Sequence, residues 1–179
     1  DLKANILSMV KEEIQGIVTA HIRDEHGDGW DMEGLVAEMA TILPLPPGFN
    51  GDILSSLKPK QIEEKLIEQA GALYEQREQE LGAENMRMLE RLIMLGIIDS
   101  LWLEHLTTME QMRLEAGWKT LRHVKAVDAY KNEGYKQFQV LLSTIQHDVV
   151  HTIYQVGLAR QAARQPASSL MAQVAAGTT

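Results

Sequence analysis

Apolar residues recur along this chain at steps of three and four. Ile6, Val10, Ile14, Ile17 and His21 form one stripe over residues 2–23, the period of a helix lying on a core. Asp1 either caps that helix or marks the cut end of a longer chain. Leu35, Met39 and Ile42 predict a short helix over residues 32–41, with Asp31 as its N-cap. Pro59 suits the first turn of a third helix. Ile62, Leu66, Leu73 and Arg77 carry that helix to about Leu81, with Ile67 and Ala70 widening its apolar face. Its other face, rich in Glu and Gln, reads as solvated. Gly82 permits a break, and Ala83-Glu84 restart a long helix that reaches about Ala116 and stops at Gly117. A last helix is expected from Asp128, a suitable N-cap, to about Val156.

The densest apolar run, Met94 to Leu106, lies inside the long helix and is apolar around more than one side. A helix of that kind is expected to be buried by several neighbours. Ile98, Leu101, Trp102 and Leu106 are therefore expected core residues, with Trp102 anchoring a helix junction. On the last helix, Phe138, Leu142, Ile145 and Val149 repeat at three and four and are expected to be core as well, continuing through Ile153 and Val156. Two long helices joined across residues 117–127 make an antiparallel hairpin. The fold expected is all-α: a small helical domain followed by that hairpin. Asp99, Glu104 and His105 interrupt the run, which reads as too polar and too short to span a membrane.

The connectors carry little chemistry. Asp24, His26, Asp28 and Gly29 invite a calcium-loop reading. However, His26 falls at its third position and Leu35 stands where a bidentate Glu is required, so the stretch reads as a polar turn. Pro44, Pro46 and Pro47 force extended backbone. They read as a surface connector rather than as a proline-rich ligand for another domain. Beyond Gly157, Ala, Gln, Ser and Gly dominate to Thr179 and predict a flexible linker.

Composition narrows the function. In 179 residues there is no cysteine, which removes disulfides, thiolate metal sites and a Cys nucleophile. The formal net charge of −8 argues against a general nucleic-acid binder. No basic-then-apolar signal pattern opens the chain, so a cytoplasmic location is expected. No phosphate-cradling glycine loop occurs. His147-Asp148-Val149-Val150-His151 sets two histidines four apart, the spacing of a helical zinc pair. Its acid is Asp rather than Glu, and no third ligand follows in the sequence. Both histidines lie off the centre of the buried stripe, so they read as helix-surface residues and no metal is expected. The tip differs from the rest of the chain. Residues 117–127 hold Lys119, Arg122, His123 and Lys125 and no acid, interleaved with Trp118, Leu121 and Val124. A basic, partly apolar tip on an acidic chain reads as a contact surface, which nucleic acid, acidic lipid or a partner protein would all fit. The competing reading is that its apolar groups tuck under the hairpin end.

Ile98-Asp99-Ser100-Leu101-Trp102-Leu103-Glu104-His105-Leu106 resembles the helical scaffold of the SecA family, the bacterial preprotein translocase motors. The resemblance continues through Met109, Arg113, Tyr130-Lys131-Asn132-Glu133-Gly134 and Phe138. Upstream it includes Trp30-Asp31, Gly34-Leu35 and Gly82-Ala83-Glu84. It implies a helical wing domain over residues 1–84 and the helical scaffold with its two-helix finger over 85–157. A linker follows over 158–179. In that family the finger enters the cytoplasmic mouth of the SecY channel and its tip meets the unfolded preprotein. The contact residues implied here are Trp118, Lys119, Leu121, Arg122, Val124 and Lys125. The family's tip shows a Leu-Arg-Gly-Tyr loop followed by Asp-Pro. Ungapped, its Gly and Tyr fall on Thr120 and Leu121 and its Asp-Pro on Lys125 and Ala126, so the aromatic is lost unless Trp118 replaces it. The resemblance further implies that ATP and magnesium act in motor domains of the same parent chain and that this fragment needs no cofactor and is no enzyme by itself. It also implies peripheral attachment to the inner face of the plasma membrane, with acidic phospholipid as a further partner. The alternative is a stand-alone helical interaction module with no translocase role.

Overall fold

The computed structural model describes residues 1–22, 29–46, 49, 54, 56–120 and 126–164, leaving aside the side chains of 118–120, 126 and 157–164. Its order is α1 (Leu2–His21), α2 (Met32–Ile42), α3 (Pro59–Leu81), α4 (Ala83–Thr120) and α5 (Ala126–Arg164). There is no strand among the described residues, and the all-α expectation holds. The residues proposed for a calcium loop, Asp24, His26 and Asp28, lie outside the described residues.

The first three helices start where the sequence supplies partners for free amides. The Asp1 carboxylate accepts from the Lys3 amide at 3.2 Å. Asp31 Oδ1 accepts from the Gly34 amide at 2.9 Å. Gln61 Oε1 reaches back to accept from the Lys58 amide at 3.0 Å, with Pro59 in the first turn. Gly34 fits because a β-carbon there would stand 2.1 Å from Asp31 Oδ2 and 2.8 Å from His21 Cε1. Gly82, at φ +82°, supplies the left-handed turn that separates α3 from α4. The last helix begins two residues before its expected cap, so Asp128 lies in the first turn, where a carboxylate favours the positive end of the helix dipole. α4 runs three residues beyond Gly117 to Thr120. α5 continues past Gly157 to Arg164, into the stretch expected to be linker.

One hydrophobic core holds the helices together. Ile6, Val10, Ile14 and Ile17 of α1 meet Leu35, Met39 and Ile42 of α2 and Ile62, Leu66, Ala70 and Tyr74 of α3. The buried position on α3 is Tyr74; its neighbour Leu73 is only half-buried. Met86 and Ile93 of α4 and Val149, Val150, Ile153 and Tyr154 of α5 complete the same cluster. Tyr154 donates to the Ala70 carbonyl at 2.9 Å. Arg77 is buried and donates through Nη1 to the Ile153 carbonyl at 2.9 Å. Beside it Glu90, fully buried, accepts from the Tyr74 hydroxyl. Arg87 Nη2 bridges Glu90 at 2.9 Å and Glu78 at 2.7 Å. Burial raises the Glu90 carboxyl above the usual carboxylate range.

The core stops at the base of the hairpin, and this overturns much of the expected core. Val149 is buried, while Leu101 and Ile145 are half-buried. Ile98, Trp102, Leu106, Phe138 and Leu142 are exposed, Trp102 by 46%. From Leu95 to Gly117 of α4, and from Val127 to Val140 of α5, no described side chain is buried. The reason is geometric: beyond the core each hairpin helix has only the other as a neighbour, and one neighbour covers one stripe. A second correction follows. By length and composition α4 is apolar enough to cross a membrane, with a mean hydropathy of 1.3 in its most apolar window and none of that window buried. Only the start of α4, at Met86 and Ile93, is buried in the core.

Candidate functional site

The hairpin sets 38 residues of α4 against 39 of α5, so each arm is about 57 Å long. Apolar side chains on the α4 arm divide between two directions. Leu101 and Thr108 share a groove with the buried Leu141 of α5, and Met109 Cε lies 3.0 Å from where a β-carbon on Gly134 would stand. An alanine there would require the Met109 terminus to give by only a few tenths of an ångström. Leu92, Leu95, Ile98, Trp102, Leu103 and Leu106 turn outward and are exposed, Leu92 by 64%. Trp102, His105 and Phe138 form a tilted aromatic row, with centroids 5.6 Å and 6.1 Å apart. Leu101, Glu104, His105, Gln137, Val140 and Thr144 line a shallow groove of about 160 Å³ between the arms.

The tip residues expected to make contact fall largely outside the described residues. Trp118 and Lys119 belong to the last turn of α4, with no description of their side chains. Leu121, Arg122, Val124 and Lys125 lie in the undescribed stretch between the helices. What the structure fixes is the pair of arms that delivers them.

A second grouping lies where α1 passes α5. His147 and His151 stand four apart with ring centroids 4.0 Å apart. Glu13 Oε1 sits 2.8 Å from His147 Nδ1. His147 is exposed, as expected, but His151 is half-buried. Burial, and then the neighbouring His147, holds the His151 imidazole below its ordinary pKa. Nothing local points to Glu13: it is 134 residues from His147, and an acid on a helix flank carries no signal of its partner.

The fold and this outward apolar flank define a class: an all-α scaffold that holds a long helical hairpin out from a compact base. The model of the SecA wing and scaffold domain matches residues 1–157. The chain belongs to the SecA wing and scaffold family. It is 46% identical over 158 residues to a protein translocase subunit SecA of Dehalococcoides mccartyi, covering 88% of this chain and 17% of that relative. The corresponding subunit of Pelotomaculum thermopropionicum is 38% identical over 160 residues, covering 88% of this chain and 18% of the relative. That of Syntrophomonas wolfei is 32% identical over 162 residues, covering 90% and 20%. The chain thus spans a fifth or less of the length of these relatives.

Proposed function

We propose that this chain is the wing and scaffold portion of an ATP-driven protein-export motor, and that its hairpin meets the moving polypeptide and the SecY channel. Residues 1–84 form the wing and 85–157 the scaffold with its two-helix finger. α5 carries on as helix to Arg164, and the linker follows it. The observation that carries this reading is the hairpin: from Leu95 to Gly117 and from Val127 to Val140 no described side chain is buried, so the pair is presented rather than packed away. An unfolded preprotein has no fixed sequence, so what touches it must tolerate any segment. Trp118, Leu121 and Val124 at the tip suit that task through dispersion and area burial. Lys119, Arg122 and Lys125 orient the tip towards acidic channel loops or acidic phospholipid by screened attraction. The outward flank of α4 is the seat for motor domains of the same parent chain, which bind ATP and magnesium. This portion has no phosphate loop and hydrolyses no ATP alone, and it acts at the cytoplasmic face of the membrane with no nucleic acid partner.

The test is made in the full-length motor with its channel. Replacing Trp118 and Leu121 with Gly is expected to lower preprotein transport and leave channel binding largely intact. Replacing Lys119, Arg122 and Lys125 with Gln is expected to weaken channel or membrane binding, with a deficit that shrinks at high salt. Transport that survives both sets of changes would overturn the finger assignment, and ATP turnover by the purified 179-residue chain would overturn the division of labour.

A further inference from the structure

Three side chains distant in sequence converge beside the core: Glu13 of α1 and His147 and His151 of α5, with one candidate ligand atom from each within 4.8 Å of the others. Helical periodicity places the two imidazoles on one face of α5. Glu13 meets them edge-on, with Oε1 at His147 Nδ1. Its other oxygen, Oε2, accepts from Gln146 Nε2 at 3.2 Å. The carboxylate is therefore held in place by a neighbour that is not itself a ligand, the outer-shell support that ligating carboxylates receive in metal sites. A simple His147–Glu13 pair has no use for a second imidazole at 4.0 Å.

We propose that Glu13, His147 and His151 bind one divalent transition ion of the zinc type, which ties α1 to α5. Two imidazoles and a carboxylate are suitable donors for such an ion, and three protein ligands leave a position for water. Tetrahedral bonds of about 2.0–2.1 Å set ligand atoms roughly 3.4 Å apart. The candidate ligand atoms, all within 4.8 Å of one another, close to that value by side-chain rotation, which half-exposed His147 is free to make. The ion replaces the Glu13–His147 hydrogen bond and recruits His151 to the same centre.

The experiment titrates the chelator-treated chain with zinc chloride by calorimetry and follows thermal unfolding. Uptake of one equivalent and a raised Tm are expected, with Co²⁺ giving the visible absorption of a low-coordinate site and Mg²⁺ giving neither effect. His151→Ala is expected to abolish stoichiometric uptake, Glu13→Gln to weaken it, and Gln146→Ala to weaken it about tenfold. Circular dichroism establishes that each variant is folded. Absence of uptake by the unaltered chain overturns the site. So does uptake that persists in a folded His147→Ala/His151→Ala double variant, which would place the ion elsewhere.

Discussion

Arg77 is the residue at which the interior of this protein is least complete. Its Nη1 serves the Ile153 carbonyl, while Nε and Nη2 have no hydrogen-bond partner. Its guanidinium lies 5.7 Å over the Tyr154 ring, and burial lowers its pKa. The aliphatic stem therefore fills space while the charge is poorly compensated. Arg77→Ala, which opens a cavity, is expected to cost about 2–4 kcal/mol. Arg77→Met, which keeps the stem, is expected to stay within about 1 kcal/mol of the parent or exceed it. Urea denaturation separates these outcomes; equal losses would show that the guanidinium itself fastens α3 to α5. His21 offers a second check. Its ring lies between Glu38 at 2.6 Å and Asp31 at 3.1 Å, and Glu38 foremost raises its pKa. A raised folded value means the stabilisation is complete below the unfolded pKa of about 6.5 and fades as pH rises through the folded one. The unaltered chain is thus expected to lose more stability than His21→Gln between pH 6 and 8, as read by denaturation midpoints. A parallel decline in both would sink the assignment.

At the scale of the helix, burial rather than hydrophobicity decides what each position is worth. Ile153 and Trp102 are both large, apolar and in phase with a stripe, yet one is buried and the other is 46% exposed. Ile153→Ala is expected to cost about 2–5 kcal/mol, and Trp102→Ala less than about 1 kcal/mol in this chain. A matched loss at both positions would mean that the distal arms carry a core of their own. The same contrast marks the limit of reading the sequence. Periodicity locates the five helices described here, the Gly82 break and the hairpin, because a three-four repeat, a capping Asp and a left-handed glycine are local signals. Which side of α4 is covered depends on the number of neighbouring helices, and no local pattern records that. Trp102, Leu106 and Phe138 therefore resembled core while standing in solvent. Periodicity does not separate Tyr74 from Leu73, since both positions sit within the stripe and only packing chooses between them. Glu13 joined His147 by a contact that sequence distance conceals.

Across the whole molecule, a single core crosses the boundary at residue 84. Met86 and Ile93 beyond it, and Val149 to Tyr154 at the far end, pack with α1, α2 and α3. Wing helices and hairpin base are one packed unit, since close-packed interiors transmit displacement rather than absorb it. The arms beyond that unit are stiff and long. From Ile97, the last residue of α4 packed on the core, to Thr120 is roughly 35 Å of helix. The base is then a fulcrum and the hairpin a lever: a tilt of about 10° among α1, α3 and the hairpin base sweeps the far end through roughly 6 Å, close to the advance of two residues of extended polypeptide.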